Sequence, residues 1–228
     1  MNIALIPAAG TGSRIGGPRA KQFLELDGTP ILIHTLHRFE ECERIDQIVV
    51  VLPAAETAGF LALAAKYNLK KITRVISGGS ERQESVAKGL ESINSPNAEI
   101  VVVHDGVRPF VTVSQIIDVI ERAKEVGAAL LALPVTDTVK EVNDGLVTRT
   151  LDRKHIYLAQ TPQAFRVELL REAHRKAKAE NLLATDDAAL VERLGASVAI
   201  VEGSSRNIKI TRPSDLALAE LILQETES

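Results

Sequence analysis

The stretch NIALIPAAGTGSRIGGPRAKQF, residues 2–23, opens the chain and decides its fold. Its first six residues are mostly apolar, as expected of a strand that is buried on both faces of a parallel sheet. Glycines and alanines follow directly, so the backbone there can approach a ligand closely and point its N–H groups at an anion. Residues 2–23 therefore predict a first strand with a ligand-binding loop at its carboxyl end.

Strands and helices are predicted to alternate along the rest of the chain, with the clearest helical spacing in residues 112–126, before Gly127. The predicted strands are residues 2–7, 47–52, 72–76, 99–104, 128–134, 198–202 and 207–210. The predicted helices are residues 31–40, 55–67, 81–93, 112–126, 167–180 and 186–194, with a closing helix from Ser214. This order indicates right-handed βαβ crossovers and an α/β fold with a doubly wound, mostly parallel sheet. We expect one domain over residues 1–228.

Residues 138–150 interrupt this alternation. Two short strands flank Asn143-Asp144-Gly145, which is a strong hairpin-turn sequence. The hairpin either projects to pack against another subunit or is an ordinary surface hairpin, and the spacing leaves both interpretations open.

Composition narrows the possible functions. The chain has 228 residues, 45% of them hydrophobic, and 27 Lys+Arg against 30 Asp+Glu give a net charge of −3. This charge disfavours a nucleic-acid partner, and the aromatic content of 3% leaves few rings on which bases could stack. No run reaches the ~18 apolar residues of a membrane span, the first ten residues lack signal-peptide features, and the single cysteine suggests a reducing compartment. We expect a cytoplasmic small-molecule enzyme.

The glycine loop matches neither of two common nucleotide-binding fingerprints. The dinucleotide motif G-x-G-x-x-G needs glycine at position 15, where the chain has Ile15, and the second strand does not end in the acidic residue that binds ribose. No G-K-[ST] follows, as a P-loop would require. The loop instead carries Arg14, Arg19 and Lys21, and this cluster of cations favours a polyphosphate over a structural turn.

Two further segments follow predicted strands, where open α/β sheets bind ligands. In HDGVRPF, residues 104–110, Asp105 stands where a divalent metal or a ribose would bind, whereas we expect His104 to be packed and hydrogen-bonded. In SGGSERQESV, residues 77–86, the small polar groups either read a base or cap the next helix. Cations in residues 150–165 and 207–213 could converge on a phosphate in the folded chain.

The segments PAAGTGSRIGGPRAKQF, GGSERQESV, HDGVRPF, TPQAF and NIKITRP together resemble the 2-C-methyl-D-erythritol 4-phosphate cytidylyltransferases of the non-mevalonate isoprenoid pathway. They stand in the family's order, and the resemblance covers residues 3–218. It implies a Rossmann-like nucleotidyltransferase fold and transfer of the cytidylyl group of CTP to methylerythritol phosphate with Mg²⁺, releasing pyrophosphate. The chain departs from the family's pattern at Gly106, Val107 and Arg206.

The resemblance also implies roles for the matching residues. Arg14, Lys21 and Lys209 would be the catalytic cations, and Asp105 would hold the Mg²⁺. The implied nucleotide-binding residues are Pro7, Ala8, Ala9, Gly10, Gly12, Gly79, Ser80, Ser85, Asp105 and Gly106, and the implied substrate-binding residues are Thr138, Arg153, Thr161 and Arg108. In the family the hairpin arm, here about residues 138–160, crosses a two-fold axis, so we expect a homodimer in which Arg153 serves the partner's site.

Two other functions remain open from the sequence. A ribitol 5-phosphate cytidylyltransferase would share the nucleotide loops and differ in the acceptor pocket. A non-catalytic nucleotide-binding module would bind CTP without turnover. A dehydrogenase is disfavoured by Ile15.

Overall fold

A computed structural model describes residues 1–10 and 20–227 of the chain. Its strands are β1 (Asn2–Pro7), β2 (Glu25–Leu26), β3 (Thr29–Pro30), β4 (Gln47–Leu52), β5 (Ile72–Ser77), β6 (Ile100–Val103), β7 (Ala128–Pro134), β8 (Lys140–Asn143), β9 (Leu146–Thr150), β10 (Tyr157–Arg166) and β11 (Ala199–Glu202). Its α-helices are α1 (Ile31–Glu41), α2 (Ala54–Lys66), α3 (Arg82–Ser92), α4 (Val113–Val126), α5 (Val167–Ala179), α6 (Asp187–Glu192) and α7 (Pro213–Glu227). Two short 3₁₀ helices span Lys21–Phe23 and Arg153–His155.

Seven of these strands form one central sheet in the order β11-β7-β10-β6-β1-β4-β5. Strand β10 runs antiparallel to both of its neighbours, β6 and β7, whereas the other four pairs of neighbouring strands are parallel. The prediction of a mostly parallel α/β sheet is therefore confirmed.

Apolar side chains cover the sheet on both faces. Along β1, Ala4 and Ile6 pack into one cluster with residues of α1, α2 and α4. The alternate residues Ile3 and Leu5 pack into a second cluster with residues of α3, α5 and α6. Successive side chains of a strand point to opposite faces, so these clusters are two separate core layers and the sheet is doubly wound, as predicted.

The helix limits agree with the sequence pattern to within one or two residues. Helix α4 shows why, because Thr112 accepts a hydrogen bond from the N–H of Gln115 while the Gln115 side chain accepts one from the N–H of Thr112. Gly127, with φ of 107°, ends the same helix. Local capping chemistry thus fixes both ends of α4 where the sequence places them.

The predicted hairpin in residues 138–150 is present as β8 and β9. Asp144 and Gly145 have φ values of 48° and 77°, which is the two-residue geometry that Asn-Asp-Gly sequences favour. Every residue of both strands is exposed, including Val142, Leu146 and Val147. The hairpin therefore leaves an apolar surface without cover in the described part of the chain.

One predicted strand is wrong, and three strands are missed. Residues 207–210 form no strand; Ile210 instead donates its N–H to the carbonyl of Val107, in the turn that follows β6. The short β2–β3 pair and the central strand β10 were not predicted from the sequence. The apolar pattern of β10 is broken by buried polar residues such as Gln160 and Gln163. The pairing of β10 with β7 shifts register between Ala159 and Gln163, and this shift accommodates the proline in the strand.

A third apolar cluster packs the C-terminal residues 207–212 against the edge of the sheet where β6 ends. Ile210 packs there with Val107 and Phe110 and with residues of β2 and α7. This packing is what brings residues 207–212 next to the segment after β6. No helix of the described residues has both the length and the apolar character needed to cross a membrane.

Candidate active site

A pocket lies at the carboxyl ends of β1, β5 and β6, where open α/β sheets bind ligands. These three strands are close neighbours in the sheet, with only β4 between β1 and β5. The described residues that line the pocket are Pro7, Ala8, Ala9, Gly10, Lys21, Gln22, Gly79, Ser80, Glu81, Arg82, Ser85, Asp105, Val107 and Lys209. Four distant segments of the sequence therefore meet at one edge of the sheet.

Asp105 is the centre of charge in this pocket. One carboxylate oxygen lies 2.9 Å from Nε of Arg82, and the other lies 2.9 Å from Nζ of Lys209 and 3.6 Å from Nε of Arg108. The Asp105 side chain is only 8% exposed, so these interactions are weakly screened by water. Three cations on one carboxylate leave a local excess of positive charge, which suits an anionic ligand.

The charges of this cluster shift the pKa values of its members. Burial by itself would raise the pKa of Asp105, but the attraction of Arg82 and Lys209 outweighs burial and holds this pKa well below its usual range. Burial would likewise lower the pKa of Arg82, but the attraction of Asp187 and Asp105 raises it overall. Asp105 is therefore ionised and Arg82 is protonated at neutral pH.

His104 and Thr161 form hydrogen bonds to the backbone of the segment that follows β6. Nε2 of the buried His104 lies 3.0 Å from the carbonyl oxygen of Arg108, which can only accept, so Nε2 carries the proton. Nδ1 then accepts a hydrogen bond of 3.1 Å from the Thr161 hydroxyl, which in turn accepts the N–H of Asp105 at 3.1 Å. The expectation that His104 is a packed, hydrogen-bonded residue is confirmed. Thr161 links the central strand β10 to the backbone of Asp105.

The loop between β5 and α3 has its polar groups paired internally. Ser85 accepts the N–H of Gly79 at 3.0 Å, and Glu84 accepts both the N–H and the hydroxyl of Ser80 at 2.8 and 3.0 Å. Helix α3 begins at Arg82, and its N-cap residue Glu81 makes no side-chain cap hydrogen bond. Of the two interpretations left open for this segment, a conventional side-chain cap is wrong.

The structure brings most of the predicted site residues together. Those that line the pocket are Pro7, Ala8, Ala9, Gly10, Lys21, Gly79, Ser80, Ser85, Asp105 and Lys209. Gly106, Arg108 and Thr161 lie behind the pocket and support Asp105 or its neighbours. Gly12 and Arg14 lie outside the described residues. Thr138 and Arg153 are not among the lining residues; exposed Arg153 donates a hydrogen bond to the carbonyl of Thr136.

Four lining residues were not predicted, namely Gln22, Glu81, Arg82 and Val107. Gln22 is buried and donates a hydrogen bond of 2.7 Å to the carbonyl of Ala8, so it supports the end of β1. The sequence does contain a signal that Arg82 has a special role. It stands in the first turn of a predicted helix, where the helix dipole disfavours a cation. A cation in that position needs carboxylate partners, and Arg82 has two.

Asp105 is also the residue that could hold a divalent cation. In the described part of the chain, no group of three or more acidic, histidine or cysteine side chains converges on a metal-sized site. Mg²⁺ commonly binds through one or two carboxylates together with substrate phosphates, keeping several waters. A single aspartate in a pocket suited to phosphates fits that mode of binding.

Comparisons with known proteins agree over almost the full chain. The family model IspD, 2-C-methyl-D-erythritol 4-phosphate cytidylyltransferase, matches residues 2–225. The 2-C-methyl-D-erythritol 4-phosphate cytidylyltransferase of Syntrophus aciditrophicus (strain SB) is 48% identical over 227 residues, which are 99% of this chain and 97% of the relative. That of Geobacillus kaustophilus (strain HTA426) is 46% identical over 220 residues, 96% of each chain.

Solved structures show the same similarity in three dimensions. The 4-diphosphocytidyl-2C-methyl-D-erythritol synthase of Anaerococcus prevotii DSM 20548 superposes with a TM-score of 0.86 at 33% identity, covering 98% of both chains. The 2-C-methyl-D-erythritol 4-phosphate cytidylyltransferase of Thermus thermophilus gives a TM-score of 0.78 at 39% identity, covering 97% of this chain and 98% of the other. The chain therefore belongs to the 2-C-methyl-D-erythritol 4-phosphate cytidylyltransferase family.

Proposed function

We propose that this chain transfers the cytidylyl group of CTP to 2-C-methyl-D-erythritol 4-phosphate, giving CDP-methylerythritol and pyrophosphate. Family membership over residues 2–225 supports this reaction. The observation that carries the proposal is the cluster of Arg82, Arg108 and Lys209 around Asp105 in a pocket at the carboxyl ends of the strands.

The reaction joins two anions, so its main difficulty is electrostatic repulsion. At a separation of ~5 Å, each pair of unit charges costs about 0.8 kcal/mol even in water, and several such pairs meet here. An ionised oxygen of the acceptor phosphate attacks the α-phosphorus of CTP in line with the leaving group. The bond between that phosphorus and the β-phosphate oxygen breaks, and its electron pair leaves with pyrophosphate. No general base is required, so catalysis consists of positioning and charge neutralisation.

The pocket residues divide between the phosphates and the base. We assign Lys21 and Lys209, together with Arg14, to the α-phosphate and the departing pyrophosphate. The backbone of Pro7, Ala8, Ala9, Gly10 and Gly12 cradles the nucleotide, and Asp105 and Gly106 complete that side of the site. Gly79, Ser80 and Ser85 read the cytosine and ribose through backbone and hydroxyl groups, without a stacking ring among the lining residues described.

Mg²⁺ is the cofactor of the proposed reaction, and Asp105 is the residue that would hold it. When bound, the ion supplies positive charge to the triphosphate oxygens and helps the pyrophosphate to leave. Asp105 would hold it only if Lys209 or Arg82 partly released its carboxylate.

The acceptor is bound, in this proposal, by Thr138, Arg153, Thr161 and Arg108, with Lys209. Thr138 and Arg153 lie at the base of the hairpin, outside the described pocket lining. We assign them to the pocket of a second copy, with the arm at about residues 138–160 extending from a single domain to form a homodimer. Exposed Leu146 and Val147 support this arrangement, because such side chains commonly mark protein contacts.

Pyrophosphate release with CTP and each acceptor tests the function. We expect release with methylerythritol phosphate and little with ribitol 5-phosphate. Activity on ribitol 5-phosphate alone would transfer the proposal to that acceptor, and CTP binding without turnover would favour a non-catalytic module. A cytoplasmic location, expected from the single cysteine, stays a prediction.

Mixing two inactive variants tests the arm. If Arg153 serves the neighbouring site, mixed dimers of Lys21→Ala and Arg153→Ala subunits regain one working site of two. If activity is not restored although subunit exchange is confirmed, Arg153 either serves the site of its own subunit or does not belong to the site. The parent variants, each exchanged with itself, are the controls.

A further inference from the structure

Arg82 connects the pocket to a second buried carboxylate that does not line it. Nε of Arg82 lies 2.9 Å from Asp105, and Nη1 lies 2.7 Å from Oδ2 of Asp187, in the first turn of α6. The side chain of Asp187 is 1% exposed, against 8% for Asp105. The planar guanidinium is thus held at two edges by two carboxylates from different elements, which fixes its orientation as a single ion pair would not.

Asp187 is itself fixed from the opposite side. Its Oδ1 lies 2.9 Å from Nε2 of the buried His174 on α5. Both oxygens of Asp187 are therefore engaged, one by α5 and one by the arginine of α3. A carboxylate held in this way has little freedom to turn, so it is a firm anchor for Arg82.

The first turn of α6 is also attached to the central sheet. Gln163 of β10 donates to Asp186 at 2.8 Å and accepts the N–H of Ala188 at 3.2 Å. Asp186 caps the helix by accepting the N–H of Ala189 at 3.0 Å. The position of Asp187 is therefore defined by the same strand that carries Thr161 beneath Asp105.

The two carboxylates that hold Arg82 differ in what else they can do. Asp105 faces the pocket and is the candidate ligand of a divalent cation, whereas Asp187 is absent from the lining among the described residues. A cation that reaches Asp105 must compete with Arg82 and Lys209 for its oxygens. If Asp187 retains Arg82 during this exchange, the arginine stays at the pocket wall and Asp105 keeps one side-chain orientation.

We propose that Asp187 is a positioning residue of the cytidylyl transfer site, acting through Arg82 to orient the carboxylate of Asp105. This inference rests on the proposed function. Partners that orient a metal-binding side chain typically contribute about 10- to 100-fold to metal affinity or activity. Asp187 is expected to contribute within that range.

The test compares Asp187→Asn with the matched variant Glu192→Gln. Both replace one carboxylate of α6 by its amide, but only the first removes the partner of Arg82, because exposed Glu192 lies at the other end of the helix. We expect Asp187→Asn to lower kcat/KM for CTP by about 10- to 100-fold and to raise the Mg²⁺ concentration that gives half-maximal rate. Glu192→Gln should stay within about twofold of the parent enzyme, because its side chain is exposed and is not among the described residues that line the pocket.

A binding measurement separates positioning from general damage. Calorimetric titration with CTP, without acceptor, is made with and without Mg²⁺ in the parent, Asp187→Asn, Asp105→Asn and the double variant. If Asp187 acts through Asp105, its substitution weakens Mg²⁺-dependent CTP binding in the parent but has little further effect in Asp105→Asn. Fold-losses of Asp187→Asn and Asp105→Asn that multiply in the double variant overturn the inference, as does equal behaviour of Asp187→Asn and Glu192→Gln.

Folding and the proposed function are controlled separately. Circular dichroism checks that each variant is folded at the assay temperature. If Asp187→Asn does not fold, Arg82→Lys replaces it in the same cycle, because lysine keeps the charge but cannot join both carboxylates. The inference then expects the same loss and the same dependence on Asp105. A parent enzyme without cytidylyl transfer would contradict the proposed function, whereas an active parent with an unaffected Asp187→Asn would contradict only this inference.

Discussion

Lowering the pH from 7 to 5 is expected to destabilise the protein by about 2 kcal/mol, because His104 is buried as a neutral imidazole. Burial lowers the pKa of His104 from 6.5 to about 4. Its Nε2–H donates to the carbonyl of Arg108, and its Nδ1 accepts from Thr161, so a second proton would displace the hydroxyl donor. The folded state therefore resists a proton that the unfolded state accepts.

The sign and the size follow from this difference. Between pH 6.5 and 4 the unfolded chain binds a proton at position 104 and the folded chain does not, so the free energy of unfolding falls as the pH falls. Complete transfer across 2.5 pKa units corresponds to about 3 kcal/mol, of which about 2 kcal/mol is lost by pH 5. The shifted carboxylates contribute little there, because their pKa values in the unfolded chain lie near 3.8 and their losses come at lower pH.

Urea unfolding followed by circular dichroism measures the effect, since the chain has no tryptophan. Protein concentration is kept constant, because association of subunits would add to the unfolding free energy. The control is His104→Gln, which should lose most of the pH dependence and keep only the smaller part from other histidines such as His37, whose pKa burial also lowers. Equal stability of the parent at pH 7 and 5, or an equal loss in His104→Gln, would refute the reasoning.

Three further substitutions probe the site. Thr161→Val should cost about 1–3 kcal/mol of unfolding free energy, because it leaves the N–H of Asp105 and Nδ1 of His104 unpaired, whereas Thr161→Ser should cost clearly less; equal losses would exclude the hydroxyl as the cause. Gly106→Ala should cost about 1–3 kcal/mol in the same urea assay, since the added Cβ would lie 2.9 Å from Cβ of Ala8, and a neutral result would show that the two segments can separate freely. Lys209→Ala should lower kcat by about 10²-fold or more through loss of a transition-state cation, while Lys66→Ala, on the exposed surface, should leave it unchanged; similar rates for both variants would remove Lys209 from catalysis.

Local chemistry explains why much of the fold was predictable. Helix α4 has a capping box at Thr112 and a terminating Gly127, and the hairpin turn at Asp144 and Gly145 needs only its own residues to adopt positive φ. The buried parallel strands likewise show as apolar runs, because both of their faces are covered. Signals of this kind depend only on residues that are close in the sequence, so the structure shows these elements where they were predicted.

Strand β10 was missed because its pattern depends on partners elsewhere in the chain. Its buried polar residues Gln160, Thr161 and Gln163 read as a loop until their hydrogen bonds to residues of other segments are known. The segment at residues 207–210 was misassigned for the converse reason: its apolar residues pack onto the turn after β6 and not beside a strand. The pattern of apolar residues by itself cannot distinguish a strand paired within a sheet from an extended segment packed on a turn.

The sequence by itself determined the α/β order and the hairpin, and it singled out the glycine loop after β1, Asp105 and Lys209 as candidates for the site. Only the tertiary structure decided that Arg82 joins Asp105 to Asp187, two carboxylates that lie far apart in the sequence. Charge is a property of single residues and can be counted in a sequence, but an ion pair depends on a distance of about 3 Å that folding alone sets. The near-neutral net charge of −3 therefore concealed a cluster at the pocket wall in which three cations surround one aspartate.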